Sequence, residues 1–172
     1  MDIKTLSIED SAKLKIQESL MTQEIYQRDP WKMMVCCIFL NQTNRKQLDK
    51  IRLKFFRTFP TAREVIEADP NEIIEMIAPL GFKNRRALTL IKFSDEWLHT
   101  RWKDPIELYG ICKYGQDSWE IFQRGNLDVK PTDGALVGYI KRTKNMLNNE
   151  DYKHRINKIR SIMLNHKKTL DT

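Results

Sequence analysis

A short segment of the chain, Leu108–Lys113, has the residue types needed to hold a phosphate. Gly110 can adopt a tight or left-handed turn without a Cβ clash, so the chain can reverse there between two helices. A helix that begins at Lys113 would expose its first backbone N–H groups, which bind anions, and the lysine would add positive charge beside them. An ordinary helix–helix turn with a satisfied cap explains the same residues, so both interpretations stay open at this point.

The composition narrows the class of partner. The 172 residues include 30 Lys or Arg and 23 Asp or Glu, which gives a formal net charge of +7. A basic balance favours a polyanionic partner, nucleic acid first, although many basic proteins of this size bind no nucleic acid specifically. With 41% apolar residues, the chain can bury one core, shared between two small lobes, without disulfides or metals.

The sequence also bears on compartment and metals. No apolar run of about 18 residues occurs, and residues 1–15 lack the apolar core of a signal peptide. Cys36 and Cys37 lie in an apolar pattern and are interpreted as small hydrophobic residues in a reducing compartment. We therefore expect an intracellular protein, nuclear in a eukaryote and otherwise in the cytoplasm or nucleoid. The three histidines lack metal-ligand spacing, so no zinc site is expected.

The elements that would position the hairpin are predicted to be helices. No stretch follows a convincing period of two, so the predicted fold class is all-α. Asp29 and Pro30 supply an N-cap and a proline at the first helical position. The segment WKMMVCCIFL at 31–40 is apolar almost all round, which predicts the central buried helix.

Caps and spacing predict the remaining helices. Thr61 with Glu64 has the pattern of a capping box, and Asp69 with Pro70 opens another helix. The predicted helices are at about 7–27, from 43 or 44 to 59, from 61, from 69 to the turn at 79–81, at 84–98 with Leu88, Ile91 and Trp97 inside, at 104–108, from 113 to Gly125–Asn126, and in a basic region after the loop at 130–134.

Two loops resemble those of a known family. Leu108–Cys112 is similar to the Leu-Pro-Gly-apolar-Gly hairpin of the helix-hairpin-helix (HhH-GPD) DNA glycosylase superfamily. Lys130–Asp133 resembles the downstream loop that carries the catalytic aspartate there, and the spacing of about twenty residues fits. Within Gln23–Tyr139, seven further segments resemble the branch that contains the glycosylase domain of the methyl-CpG-binding mismatch thymine DNA glycosylase. They are DPWK at 29–32, IFLNQT at 38–43, PLG at 79–81, KFSDE at 92–96, WKDPIEL at 102–108, KYGQDS at 113–118 and IF at 121–122.

The resemblance implies a monofunctional glycosylase in base excision repair. Such an enzyme flips a pyrimidine out of the duplex, hydrolyses its N-glycosidic bond and leaves an abasic site. Bond breaking builds positive charge on the deoxyribose, which a carboxylate beneath the sugar can stabilise. The resemblance assigns this catalytic role to Asp133. A cap on the helix that starts near Gly134 explains the same residue locally and is compatible with the catalytic role.

The resemblance also implies residues that line the base pocket. Tyr114 occupies the position of the lysine with which lyase-competent relatives form a Schiff base, so hydrolysis without strand cleavage is expected. Lys113 is the alternative nucleophile, but it lies one helical position, about 100°, away from that slot. Gln23 aligns with the base-reading glutamine, whose amide offers a donor and an acceptor to uracil or thymine. A lone glutamine on a polar helix is otherwise just solvated.

Further residues are implied to contact the duplex. Gln42 matches the residue that fills the gap left by the flipped nucleotide, although the related branch has arginine there. Phe82 matches the apolar wedge beside the lesion, and packing on Leu80 or Leu88 is the alternative. The hairpin is implied to bind the DNA backbone, and a monovalent cation with it, through Gly110, Cys112, Lys113 and Gly115.

The chain departs from the family pattern at two places. Cys112 replaces the second hairpin glycine, which would strain the turn if that position needs a positive φ, or would weaken the binding of the cation and the phosphate. After Asp133 the related branch has a histidine and then a lysine two residues on, whereas this chain has Gly134 and Ala135, which could slow the enzyme or change its substrate. No iron–sulfur cluster is expected, because that pattern needs four spaced cysteines after the catalytic loop and none lies beyond Cys112.

These observations predict a two-lobed helical protein that binds double-stranded DNA as a monomer, without a membrane. Residues 29–125 would form the lobe with the hairpin, and residues 1–28 with 126–172 the lobe with the Asp133 loop. The basic region 141–168 could follow DNA phosphates or be a solvated helix face. Two other functions stay open: a non-catalytic DNA-binding module, and an enzyme that modifies a flipped thymine derivative on the same scaffold.

Overall fold

The computed structural model describes residues 20–151 together with 153, 154 and 157. Within these residues there are helices and turns but no strand, so the all-α prediction is confirmed. Most of the helix predicted at 7–27 lies outside the described residues. The α-helices are α1 Thr22–Tyr26, α2 Pro30–Leu40, α3 Arg45–Thr58, α4 Ala62–Glu67, α5 Pro70–Ile77, α6 Lys83–His99, α7 Lys113–Phe122 and α8 Gly134–Asn148, with 3₁₀ turns at Ala78–Leu80 and Pro105–Glu107.

Helix α2 is the centre of the core. The Asp29 carboxylate accepts a hydrogen bond from the Lys32 N–H at 3.1 Å, and Pro30 is the first helical residue, as predicted. A helix that is apolar all round is stable only when other elements surround it. Helices α1, α3, α6 and α7 all contact α2. Its buried residues are Trp31, Met33, Met34, Val35, Cys36, Cys37, Ile38 and Phe39.

Local sequence signals set the ends of α3, α4 and α5. Asn44 caps α3 by accepting from the Gln47 N–H at 3.0 Å. Thr61 and Glu64 form the predicted capping box, in which the Thr61 N–H donates to the Glu64 carboxylate at 2.8 Å. The Asp69 carboxylate caps α5 by accepting from the Asn71 N–H at 2.9 Å. These caps satisfy backbone donors that a helix end would otherwise leave unpaired.

Helix α6 differs from its prediction on one face. Leu88, predicted to lie inside, is 49% exposed, so that prediction is wrong. Ala87, Leu90 and Phe93 are the buried apolar residues of this helix instead. Position 88 lies about 100° round the helix from 87, so these three residues turn a different stripe toward the core. Helix α6 contacts α2, α4 and α5.

Three tryptophans hold the approach to the hairpin in place. Trp97 at the end of α6 lies 4.9 Å from Trp102, measured between ring centroids, and Trp102 lies 5.5 Å from Trp119 of α7. Such tilted and edge-on pairs contribute about 0.5–1.5 kcal/mol each beyond the apolar area they bury. The cluster therefore ties the segment before the hairpin to the helices on both sides of it.

The chain divides into two compact units, with the boundary after Asn126. The first unit contains α1–α7, and α1 contacts α2 and α7 within it. The second unit contains α8. The assignment of residues 1–28 to the second lobe stays a prediction, because residues 1–19 are outside the described residues. In the part of the chain described, no helix has the length and apolarity to span a membrane.

Candidate nucleic-acid interface

The hairpin between the Pro105–Glu107 turn and α7 requires glycine at its centre. Gly110 has φ +79°, the left-handed conformation expected of it, and the Ile111 N–H closes the turn on the Leu108 carbonyl at 3.2 Å. A Cβ at position 110 would lie 2.1 Å from Cγ2 of Thr89 on α6. Both the backbone conformation and the close approach of α6 therefore exclude a side chain.

Cys112 does not strain the hairpin, so the expected strain is wrong. Its φ of −110° and ψ of −179° are extended backbone, which any residue adopts. The thiol is exposed, and the Cys112 side chain makes no capping hydrogen bond to α7. The second family glycine can therefore be replaced here without a backbone penalty, and the side chain leaves the N-terminal turn of α7 uncapped.

Lys113 and Gly115 follow the hairpin with different roles. The Lys113 ammonium donates to both carboxylate oxygens of Asp117, at 2.8 and 2.7 Å, and the Asp117 side chain is buried. Gly115 is buried, and a Cβ there would meet Cε of Met34 at 3.3 Å. The glycine therefore lets α7 approach α2 closely, whereas the lysine places its charge beside the hairpin within an ion pair.

Gln23 and Tyr114, 91 positions apart in the chain, are hydrogen-bonded. The Gln23 amide Nε2 donates to the Tyr114 hydroxyl at 2.6 Å and to Oγ of Ser118 at 3.2 Å, and it lies 3.9 Å from Sγ of Cys37. Gln23 is 1% exposed, so its interpretation as a solvated residue is wrong. We call these four residues the amide cluster. Sequence reasoning missed Ser118 as a site residue, although it stands one helical turn after Tyr114 in the KYGQDS segment.

The amide cluster presents neutral polar groups. Burial raises the pKa of the Cys37 thiol to about 12, against the opposing effect of hydrogen bonds from Ser118 and Gln23. The thiol is therefore protonated at neutral pH. Amide, phenol and hydroxyl groups can each donate and accept, which suits the uncharged hydrogen-bonding edge of a pyrimidine better than a phosphate.

Gln42 and Phe82 share an uncommon backbone conformation. Gln42 has φ +55° and Phe82 has φ +48°, and they are the non-glycine residues with positive φ in the described segments. Such a conformation costs an L-residue about 1–2 kcal/mol. Phe82 is also 65% exposed, so packing against Leu80 or Leu88 does not account for its side chain. Both residues were implied to enter the duplex, and strain of this kind is concentrated at functional sites.

A surface cleft joins these two residues to the hairpin. Its volume is about 170 Å³, and Gln42, Phe82 and Gly110 all contribute to its wall. Three residues that were implied to contact DNA, from three separate segments, thus lie around one depression. We call it the strained cleft, and its lining consists of Ile38, Asn41, Gln42, Phe82, Arg85, Arg86, Thr89 and Gly110.

Arg86 connects the turns around the strained cleft, and sequence reasoning missed it. Its side chain is buried, and its guanidinium donates to main-chain carbonyls at the end of α2 and in the turn before α6. The acceptors are the carbonyls of Ile38 at 2.7 Å, Phe39 at 3.1 Å, Asn41 at 3.1 Å, Gly81 at 3.3 Å and Leu80 at 3.4 Å, and Oγ1 of Thr43 at 2.9 Å. Burial lowers the pKa of Arg86, and the C-terminal carbonyls of α2 favour its positive charge.

Asp133 is the N-cap residue of α8, in the second unit. Its Oδ1 accepts hydrogen bonds from the N–H groups of Ala135 and Leu136, each at 3.0 Å, so the predicted helix cap is confirmed. Both bonds use the same oxygen, so the cap does not use Oδ2. Its catalytic role stays a prediction. In the described segments, no group of three or more His, Cys, Asp or Glu could hold a metal ion.

A comparison with protein-family models identifies the family of this chain. A family model described as the HhH-GPD superfamily base excision DNA repair protein matches residues 35–163, three quarters of the sequence. The chain belongs to this family. The superfamily predicted from the hairpin and the Asp133 loop is therefore confirmed.

Curated relatives share part of the chain. A methyl-CpG-binding domain protein 4-like protein of Arabidopsis thaliana is 34% identical over 120 residues, 69% of this chain and 27% of the relative. A thymine/uracil-DNA glycosylase of Pyrobaculum aerophilum is 37% identical over 68 residues, 40% of this chain and 30% of the relative. The matched segments thus span about a quarter to a third of the relatives' length.

A solved structure shares the fold. A thermostable thymine-DNA glycosylase superposes with a TM-score of 0.53 at 24% identity, over 57% of this chain and 48% of that one.

Proposed function

We propose that this chain is a monofunctional DNA glycosylase of base excision repair. Its substrate would be a mispaired or modified pyrimidine, namely uracil, thymine or a 5-substituted uracil, opposite guanine. Membership of the HhH-GPD family and the names of its relatives support the reaction class. The substrate range follows from the resemblance together with the neutral polar groups of the amide cluster.

The observation that carries the proposal is the hydrogen bond between Gln23 and Tyr114. The resemblance assigns both residues to the target base. They meet at 2.6 Å although they lie on α1 and α7, and Gln23 is fully buried. Such prior alignment reduces the entropy that is lost when a base is bound. Both groups can then hydrogen-bond an extruded uracil or thymine and stabilise the negative charge that builds on it as it leaves.

Asp133 is proposed as the catalytic carboxylate. Departure of the base leaves positive charge on the deoxyribose, and an anion close to the sugar lowers the free energy of that state. The same carboxylate can accept a proton as water attacks the anomeric carbon. The helix cap supports the assignment, because two hydrogen bonds to Oδ1 fix the side chain without using Oδ2.

Two features support hydrolysis without strand cleavage. Tyr114 has no amine with which to form a Schiff base. Lys113 has an amine, but its ammonium is engaged by both oxygens of the Asp117 carboxylate at 2.7 and 2.8 Å. To act as a nucleophile, this amine would first have to leave the ion pair with Asp117.

The test is base release from labelled duplexes that carry U:G, T:G or 5-hydroxymethyluracil:G, followed by a strand-cleavage gel with and without alkali. We expect cleavage only after alkali, and a loss of at least about 1,000-fold in Asp133→Asn. Asparagine caps helices about as well as aspartate, so the variant should fold. The matched control is Asp128→Asn, since the Asp128 side chain is 91% exposed and lies in the same unit.

Other outcomes point to other functions. Binding without base release in both wild type and Asp133→Asn would favour the non-catalytic module. An Asp133-dependent product other than free base would favour the modifying enzyme. Cleavage without alkali would show lyase activity and contradict the monofunctional part of the proposal.

A further inference from the structure

The positive φ values of Gln42 and Phe82 need an explanation in the surrounding structure. Gln42 follows the end of α2, and Phe82 is the residue before α6. Each is an L-residue in the left-handed region, with φ +55° and +48°. An isolated turn would relax toward negative φ, so contacts outside each residue must over-determine the strained conformation.

Arg86 supplies such contacts to both residues at once. Its Nη2 donates to the carbonyl of Asn41, which directly precedes Gln42, at 3.1 Å. Its Nε donates to the carbonyl of Gly81, which directly precedes Phe82, at 3.3 Å. The angle φ is the rotation about the bond that follows this peptide group. Fixing the preceding carbonyls therefore holds one side of each of these two rotations. The other side is held by the Thr43 N–H, which donates to the Leu40 carbonyl at 3.1 Å, and by the Phe82 carbonyl, which accepts from the Arg86 N–H at 2.9 Å.

The same guanidinium also donates to groups other than these two carbonyls. It is therefore held in place and cannot move with either turn if that turn relaxes. It also donates to the Ile38 carbonyl at 2.7 Å and to Oγ1 of Thr43 at 2.9 Å. An arginine has five N–H donors in a planar fork, whereas a lysine has three donors on a flexible stem. Lysine at position 86 would keep the charge but could not span both turns.

We propose that Arg86 is a positioning residue that holds Gln42 and Phe82 side by side, so that both enter the duplex together when the target base is extruded. This inference rests on the proposed function and on the roles that the resemblance implies for these two residues, in which Gln42 fills the gap left by the flipped base and Phe82 wedges the stack open. Arg86 itself is 6% exposed, and its side-chain hydrogen bonds go to the end of α2 and to the two turns. It would act on DNA only through Gln42 and Phe82.

The test compares Arg86→Lys with Arg52→Lys, a matched control. Arg52 is 5% exposed and is likewise held by hydrogen bonds, to Asp49 at 2.6 Å and the Tyr26 hydroxyl at 3.3 Å, but lies outside the strained cleft. The substrates are uracil paired with guanine and uracil opposite an abasic-site analogue, for which extrusion costs less. A second readout is the fluorescence of 2-aminopurine beside the uracil, which rises when the stack opens and needs no catalysis.

We expect Arg86→Lys to lose base release from the U:G duplex at least about tenfold more than from the abasic-opposed duplex. We also expect it to lose most of the 2-aminopurine rise. Arg52→Lys should keep the wild-type ratio and rise, whatever its stability. A merely structural role for Arg86 would lower both rates equally and leave their ratio unchanged. That result, or an equal change of the ratio in Arg52→Lys, would overturn the inference.

Two further arms keep the outcome decisive. If Arg86→Lys does not fold, Thr43→Val removes one acceptor of the guanidinium and should shift the ratio in the same direction by about threefold, while an unchanged ratio overturns the inference. If wild type releases no base from either duplex, the proposed function fails. The 2-aminopurine signal then still decides whether Arg86 positions Gln42 and Phe82. A wild-type rise that Arg86→Lys loses supports the positioning role, and no rise or an equal rise contradicts it.

Discussion

The amide cluster and the strained cleft both lie in the first unit, but they are built in opposite ways. The amide cluster joins side chains of α1, α2 and α7 in ordinary helical conformations, and Gln23 at its centre is buried. The strained cleft has its two key residues at helix ends, in left-handed conformations, with Phe82 largely exposed. Its geometry depends on the backbone and on a buried guanidinium beneath it.

This difference changes how stability and function are related. In the amide cluster one set of hydrogen bonds both stabilises the fold and aligns the groups proposed for base recognition, so a truncation should lower stability and activity together. In the strained cleft the conformation proposed to serve DNA binding costs free energy, so relief of the strain should raise stability while activity falls. Variants of the two sites can test this contrast.

The largest effect is expected in the amide cluster. Gln23→Ala should lower kcat/KM for base release by about 100-fold, since it removes a donor proposed to act on the leaving base. It should also lower the free energy of unfolding by about 1–3 kcal/mol, because Tyr114 and Ser118 lose a buried partner. Gln27→Ala is the control: its amide donates to the Phe122 carbonyl at 2.7 Å, outside the cluster. Equal losses of kcat/KM in the two variants would contradict the contrast.

The next test uses Gly110 in the hairpin, a left-handed position that glycine already occupies. Gly110→Ala should lower the free energy of unfolding by about 2–4 kcal/mol, from strain at positive φ plus the clash with Thr89. Gly125→Ala is the control, since Gly125 has φ +68° but no atom within 4 Å of an added Cβ, and about 1 kcal/mol is expected. Urea unfolding measures both. Thr89→Ser removes the clashing methyl and should restore part of the loss in Gly110→Ala; no restoration would refute the clash.

The amide cluster should also respond to alkaline pH. The folded-state pKa of Cys37 is about 12, above its unfolded value, so the stability it contributes is complete below pH ~8.5 and is lost as pH rises. The free energy of unfolding should fall by about 1.4 kcal/mol per pH unit between ~9 and ~12 from this thiol. Urea titrations at pH 8, 9 and 10 should show a shallower slope in Cys37→Ala. If the slope of the unfolding free energy against pH is unchanged in Cys37→Ala, or is altered in Phe82→Gly, the Cys37 thiol is not its origin.

The smallest effect has the opposite sign. Gln42→Gly and Phe82→Gly should each raise the free energy of unfolding by about 0.5–1 kcal/mol, because glycine adopts positive φ without strain. Base release from a U:G duplex should nevertheless fall. Lys50→Gly, an exposed position within α3, should instead destabilise by about 1 kcal/mol. A loss of stability at both 42 and 82 would show that their conformation is not strained.

How much of the structure the sequence predicts depends on how far apart in the chain the interacting residues lie. The Asp29, Thr61 and Asp69 caps were predicted correctly, because each depends on residues two or three positions apart. The burial of Leu88 was predicted wrongly, since the stripe a helix turns inward depends on its neighbours. Strain at Cys112 was also wrong, because the conformation of position 112 is set by how α7 starts and not by the family residue it replaces.

The sequence by itself determined the class of fold, the central apolar helix and the family, because periodicity, caps and ordered motifs are properties of neighbouring residues. Only the tertiary structure decided that Gln23 is buried against Tyr114, that Gln42 and Phe82 are left-handed, and that Arg86 serves both turns. The physical reason is that a buried polar group takes its partners from whatever the fold brings within 3 Å or so. Three of the main-chain carbonyls that Arg86 binds, those of Ile38, Phe39 and Asn41, lie more than 40 positions away in the chain, and carbonyls leave no mark in a sequence.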